Sequence, residues 1–189
     1  MGAFKPLLPF GKQTVVESTI DYLRKGGVET IVVVLGHRSH ELQEHLKHLP
    51  LRFALNPDPD SEMSASISAG IEKIPGSGAT LIALADHPAV PPAVVCTLVS
   101  EWKHGSRLLI PTWQNRGGHP VLIDLRYRAE LQNLDPARGL KALFAAHRRE
   151  VKRVAVDSPF IARDMDTWDD YQALHQEVFG EPPPAPPED

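Results

Sequence analysis

Nine residues near the middle of the chain, Thr80 to Pro88 (T-L-I-A-L-A-D-H-P), constrain the fold more than any other stretch. The first six carry no charge, and Gly76, Gly78 and Pro88 bracket them. A run this short and this apolar reads as a strand buried on both faces rather than as a helix. It ends on a carboxylate. In an open α/β sheet, ligands sit beyond the carboxyl ends of parallel strands, which puts Asp86 where a metal or a phosphate-bearing ligand binds. Asp86 also suits a simple turn into a helix opened by Pro91 and Pro92. The stretch alone leaves both readings open.

Around it, strand and helix patterns alternate. Residues 1 to 11 (M-G-A-F-K-P-L-L-P-F-G) read as a loop carrying one exposed lysine, Lys5. Thr14 with Glu17 forms a capping box, followed by Val16, Ile20 and Leu23 on one helical face up to Gly26. Thr30 to Leu35 is a second buried strand, and Ser39 caps a helix carrying Leu42, Leu46 and Leu49. Leu51, Phe53 and Leu55 alternate as a half-buried strand, and Asn56 to Asp60 form a rigid turn before a helix on Ile67, Ile71 and Ile74. After the central strand come a helix near 92 to 104 and strands at 107 to 112 and 120 to 123, which can pair antiparallel at a sheet edge. Helical patterns near 126 to 133 and 137 to 147 precede a strand at 151 to 156. Thr167 with Asp170 caps a last helix bearing Tyr171, Leu174 and Val178. The pattern predicts one α/β domain over residues 1–179 with a doubly wound, mostly parallel sheet, and a disordered Pro-rich tail over 180–189.

Composition narrows the function. With 189 residues, 42% of them hydrophobic, the chain suits one well-buried core. A net charge of -4 gives no basic field for nucleic acid. The single Cys96, set among Val94, Val95 and Leu98, is expected to be a buried thiol in a reducing, cytoplasmic compartment. No apolar run has the length of a signal peptide or a bilayer span, so no membrane partner is expected. His37, His40, His45 and His48 offer imidazoles around one helix. No cysteine or carboxylate completes a zinc pattern with them, and exposed polar positions explain them better.

The doubly wound pattern lacks its usual beginning. Such domains open with a strand and a phosphate-binding loop, whereas here a Pro-rich loop leads straight into the first helix.

Several segments then fall in register with a known family. M-G-A-F-K-P-L-L-P-F-G, the N-P-D turn with Met63 and Ser66, L-A-D-H-P, G-G-H-P-V-L-I and D-M-D-T-W-D-D-Y occur in the order of the MobA-like nucleotidyltransferases. The resemblance spans about residues 1 to 175 and is closest to the molybdenum cofactor cytidylyltransferase branch. It implies a Rossmann-like nucleotidyltransferase fold and a Mg²⁺-dependent reaction, in which the terminal phosphate of molybdopterin attacks the α-phosphorus of CTP and releases pyrophosphate. It also implies service to a molybdoenzyme or its maturation chaperone. Carried over residue by residue, Asp86 and Asp166 match the metal positions, with Asp164 as the alternative to Asp166. Lys5 matches the lysine that neutralises the triphosphate, Met63 and Ser66 lie near the nucleotide, and His119 falls where the pterin substrate approaches.

The chain departs from the family at Glu62 (usually glycine), His87 (usually glutamine) and Trp168 (usually proline). The family's opening strand and the L-A-A-G-x-S-x-R before M-G are absent, through either a late assigned start or a truncated relative that has lost activity. That strand would lie mid-sheet beside the one ending at Asp86. Its absence predicts unpaired backbone groups there, each costing about 1 to 3 kcal/mol, and a catalytically weak chain. An inactive nucleotide- or pterin-binding module and a sugar-phosphate nucleotidyltransferase are the alternatives.

Overall fold

A computed structural model describes residues 4–58 and 60–184. The opening segment is not a plain loop. A 3₁₀ turn at Lys5–Leu7 leads into a small hairpin, β1 (Pro9–Phe10) with β2 (Gln13–Thr14), turned at Gly11 with φ of 63°. Helix α1 (Val15–Lys25) starts on the expected capping box, with the Thr14 hydroxyl and the Glu17 carboxylate each satisfying the other's backbone N–H. Then follow β3 (Val32–Leu35), α2 (Ser39–Leu46), β4 (Arg52–Leu55), α3 (Met63–Glu72) and β5 (Ala79–Ile82). Ser39 is the first helical residue of α2 rather than its cap. Arg38 holds the cap position with φ of 51°, fixed by a two-pronged ion pair to Glu41.

Helix α4 (Pro92–Lys103) does begin at the two prolines. Strands β6 (Leu108–Trp113), β7 (Arg116–Gly117) and β8 (Val121–Asp124) follow, then α5 (Arg128–Gln132), α6 (Leu140–Ala146), β9 (Val151–Ala155) and α7 (Trp168–Phe179). The second expected capping box, Thr167 with Asp170, starts α7, and Gly180 ends it in the left-handed conformation. Residues 185–189 of the expected tail lie outside the described residues. No described helix is long and apolar enough to cross a membrane.

The strands belong to a mixed α/β architecture with mainly parallel strand directions. β3 pairs with β4 in parallel and β6 with β9 in parallel. Strand β8 is inserted antiparallel between β5 and β6, so β5 and β6 run the same way. The antiparallel pairing of β6 and β8 was expected, but β8 lies inside the sheet and not at its edge.

Alternation along the strands feeds two cores on opposite faces. Leu35, Leu109, Leu122 and Val154 pack with α1 and α4, whereas Leu108, Val121 and Ile123 pack with Ile67 and Ile71 of α3. Each such side chain, fully buried, contributes about 1.5 to 3 kcal/mol. Cys96, expected inside, is exposed on the outer side of α4, because Val94, Val95 and Leu98 define the buried stripe and position 96 falls off it.

The sheet is split. Among the described residues β3 pairs only with β4, and β5 only with β8. Val32, Val33 and Val34 and all four residues of β5 are therefore half-buried, not sealed on both faces as their composition predicts.

Asp124 ties β8 to α4. Its carboxylate accepts from the Trp102 indole N–H (2.9 Å), Arg107 (3.0 Å) and the Arg126 backbone N–H (3.0 Å). Burial alone would raise this carboxyl, but the indole, the backbone N–H and the charges of Arg107 and Arg126 outweigh it and hold it below the usual carboxylate range. A depressed carboxyl stabilises the fold above the unfolded carboxyl value, about 3.9, and that contribution is lost as pH falls below it. Asp124→Asn is expected to cost about 2 kcal/mol at pH 7 and to flatten the acid limb below about pH 4, read by urea midpoints. An acid limb identical to the parent's overturns this.

Candidate active site

The residues that matter meet at the carboxyl end of β5. After Ile82 the chain runs through Ala83–Ala85 into a tight turn that places Asp86, with the His87 N–H donating to the Leu84 carbonyl at 3.3 Å. The Asp86 side chain is 34% exposed, while that of His87 is 6% exposed, and the His87 Nε2 lies 3.8 Å from the Asp86 carboxylate. Burial pushes the His87 imidazole below its ordinary value. Asp86, Asp164, the Ile161 carbonyl and Asp166 pull the other way without overcoming it. A buried, neutral histidine thus stands amid three carboxylates.

His119 closes the second side. It follows Gly118 and precedes a cis peptide to Pro120. Its N–H donates to the Ile161 carbonyl at 2.7 Å, and its Nδ1 lies 3.3 Å from the Ile82 carbonyl, which pins the start of β8 to the end of β5. Its ring meets His87 edge-on at 6.0 Å. Burial first, then the neighbouring His87, lowers its imidazole too, against the Ile82 carbonyl and Asp86.

Lys5 and Asp166 come from opposite ends of the chain. A small core of Leu8, Phe10, Val15, Met165, Tyr171 and Leu174 clamps the β1–β2 hairpin against α7. Fully buried Met165 fixes the segment between Asp164 and Asp166. Across this junction the Lys5 ammonium lies 3.1 Å from the Asp166 carboxylate. Asp86 and His119 thus flank His87, which also feels the charges of Asp164 and Asp166, and Lys5 joins this group through Asp166.

Met63 and Ser66 stand apart from that cluster. Both lie in the first turns of α3 and line the slot between β3 and β5, together with Ala83–Ala85. The Ser66 hydroxyl accepts from the Asn56 amide at 3.0 Å, and Asn56 is buried.

Two features escaped the sequence reading. Tyr22 on α1 is 3% exposed, and its hydroxyl is pushed upward by burial and by the Asp86 charge. The Tyr22 hydroxyl and the His87 Nδ1 are also the two buried side-chain polar atoms without a hydrogen-bond partner among the described residues. Leaving such groups unpaired costs about 1 to 3 kcal/mol each, and both belong to residues that Asp86 influences. Nothing in the helical pattern of α1 separates Tyr22 from a core aromatic.

The donor set suits a hard cation. Among the described residues no three histidine, cysteine or acidic side chains come close enough to hold a metal unaided. Mg²⁺ typically takes one or two carboxylates and completes its octahedron with phosphates and water, which matches the exposed oxygens of Asp86 and Asp166. In and around α2, His45 and His48 face Glu17, and His37 faces Asp60.

Comparison with known proteins places the chain in a family. Residues 1–154 match the family described as the MobA-like NTP transferase domain. A "Nicotine blue oxidoreductase" of Paenarthrobacter nicotinovorans is 29% identical over 131 residues, 66% of this chain and 64% of that protein. A "Bifunctional IPC transferase and DIPP synthase" of Rubrobacter xylanophilus is 38% identical over 96 residues, 49% of this chain and 22% of that protein. The match thus spans less than two thirds of either relative. The crystal structure of a manganese complex of Rv0371c from Mycobacterium tuberculosis superposes with a TM-score of 0.80 at 24% identity, covering 92% of each chain.

Proposed function

The chain belongs to the MobA-like NTP transferase family, and from that premise we propose that it transfers CMP from CTP to the terminal phosphate of molybdopterin. A molybdopterin phosphate oxygen forms the new bond to the α-phosphorus of CTP. The bond from that phosphorus to the bridging oxygen breaks, and pyrophosphate leaves with the electron pair. Charge builds on phosphoryl oxygens in the transition state, so positioned cations supply most of the acceleration.

One observation carries the reading: the charges of Asp86, Asp164 and Asp166 all act on the buried imidazole of His87 beyond the carboxyl end of β5, and Lys5 pairs with Asp166. In this reading Asp86 and Asp166 hold a Mg²⁺ ion, which would neutralise phosphate charge. The Lys5 ammonium leaves Asp166 for the triphosphate, which offers it more negative charge. Neutral His87 keeps a second positive charge away from the metal position while filling the floor beneath Asp86. His119 holds the wall that the pterin approaches, and Met63 with Ser66 borders the nucleotide.

The names of the relatives span a transferase–synthase and an oxidoreductase, so the chemistry must be tested directly. Turnover with molybdopterin and Mg²⁺ is expected with CTP and at least tenfold less with GTP. A pocket that hydrogen-bonds one base leaves buried groups unpaired with the other, at about 1 to 3 kcal/mol each. A preference for GTP overturns the nucleotide assignment. The split sheet favours a second reading, a binding module without turnover. Calorimetric binding of Mg²⁺-CTP with no pyrophosphate release would establish it.

A further inference from the structure

The Tyr22 hydroxyl and the His87 Nδ1 take no part in holding phosphate or pterin, yet both are buried close to Asp86. Tyr22 is 3% exposed and His87 5% exposed, and neither atom has a hydrogen-bond partner among the described residues. Orphaned polar atoms this deeply buried are rare in a folded chain and call for a cause.

The two atoms are of opposite kind. A neutral imidazole carries one N–H and one bare nitrogen. The Nε2 of His87 lies 3.8 Å from the Asp86 carboxylate, an acceptor, while Nδ1 meets nothing. The proton therefore belongs on Nε2, and Nδ1 is a bare acceptor. Burial pushes the Tyr22 hydroxyl upward, so the phenol keeps its proton and is a donor.

Helix α1 brings them to one place. The Thr19 hydroxyl lies 3.5 Å from the Ala85 carbonyl, which sets α1 against the residue before Asp86. Tyr22, three positions on, shares that helical face. Tyr22 also lines one groove with Pro88, so it stands against the turn from Ala85 to Pro88 that carries Asp86 and His87. The Asp86 charge is felt at its hydroxyl.

We propose that Tyr22, His87 and Asp86 form a hydrogen-bond relay, in which the Tyr22 hydroxyl donates to Nδ1 and the Nε2–H donates to the Asp86 carboxylate, turning that carboxylate toward a divalent cation. The inference rests on the proposed role of Asp86 as a metal carboxylate, and it makes Tyr22 and His87 positioning residues. As the side chains stand, both links fall short of hydrogen bonds, and contacts of this kind tighten as a site loads. The relay holds the carboxylate without a positive charge, which would oppose the cation. Ligating carboxylates depend on such outer partners, whose loss typically weakens metal binding by about 10- to 100-fold.

The test uses the full 189-residue chain, with Mn²⁺ alone as the probe for affinity and Mg²⁺ for nuclear magnetic resonance. Tyr22→Phe removes only the hydroxyl and keeps the ring. It is expected to weaken Mn²⁺ binding by about tenfold or more in calorimetry, without lowering the melting temperature of the metal-free chain. With Mg²⁺ present, it should also move the His87 Nδ1 ¹⁵N resonance to that of a nitrogen accepting no hydrogen bond, while Nε2 stays protonated. His87→Gln keeps one donor and one acceptor and should bind Mn²⁺ within about threefold of the parent, whereas His87→Phe should lose about tenfold or more. Parent-like Mn²⁺ affinity in Tyr22→Phe, or a His87 protonated on Nδ1, overturns the relay. Asp86→Asn separates it from the catalytic reading. Loss of Mn²⁺ in that variant but not in Tyr22→Phe leaves the metal reading standing and removes the relay, whereas Mn²⁺ binding that survives Asp86→Asn removes both.

Discussion

Replacing Asp86 by Asn is expected to lower the rate of the proposed nucleotidyl transfer by about 10²- to 10³-fold while leaving the melting temperature within a few degrees of the parent. The side chain is one-third exposed, and its basic neighbour His87 is 3.8 Å away and held neutral by burial, so the fold gains little from the carboxylate. Its value lies in charge. An amide keeps the shape and loses the negative oxygen that a hard cation requires, and removing one electrostatic contact in a preorganised site costs catalysis by that order. Because the contact strengthens as phosphoryl charge develops, the loss should fall on kcat, with KM for the nucleotide moving less than tenfold. A kcat within threefold of the parent would remove Asp86 from the site. The same assay on Asp166→Asn and Asp164→Asn decides between the two acids. The larger loss is expected at Asp166, whose carboxylate is the one held against Lys5.

What was legible in the sequence followed locality. Both capping boxes, Thr14 with Glu17 and Thr167 with Asp170, were readable because a cap is decided by residues three apart. The helix opening at Pro91 and Pro92 was readable for the same reason. Ser39 looked like a cap, yet the bidentate Arg38–Glu41 pair settles the preceding residue in the left-handed region and moves the helix start, a contact that propensity does not register. Cys96 has apolar neighbours in sequence, but a helix sorts residues by angle, and Val94, Val95 and Leu98 leave it outside. The place of β8 inside the sheet depends on pairings to Leu108 and to Ala79 that no local pattern encodes. At the site, the strand end at Asp86 was visible from hydrophobic patterning alone. The meeting of Lys5 with Asp166 across the chain was not, because the Leu8–Met165–Tyr171 core that produces it is assembled from both termini. Tyr22 carried no signal at all, since an unpaired hydroxyl can be seen only once its surroundings exist.

Gly118→Ala is expected to be the most damaging single-methyl change near the site. A Cβ at this position would overlap the Ile161 carbonyl oxygen and lie 2.5 Å from its carbonyl carbon. The obstruction is backbone on both sides, so no side-chain rotation relieves it. Ile161 is fully buried in the core that packs with α1 and α4, so the 3₁₀ turn Pro159–Ala162 cannot retreat cheaply. The strand before β8 must move instead, which breaks the 2.7 Å bond from the His119 N–H to Ile161 and drags His119 off the Ile82 carbonyl. Overpacking of about 1 to 3 kcal/mol plus a lost hydrogen bond of about 1 kcal/mol predicts destabilisation near 3 kcal/mol, or about 6 to 12 °C in melting temperature. Activity should fall further than stability explains. His119 and His87 share an edge-on contact beneath Asp86, and a shift of about 1 Å in such a site can cost 10²-fold. Gly76→Ala is the control, since a Cβ there meets nothing within 4 Å, and it should change stability by less than about 0.5 kcal/mol. If Gly118→Ala melts with the parent and keeps its turnover, the link between the Gly118–His119 segment and the floor of the site is wrong.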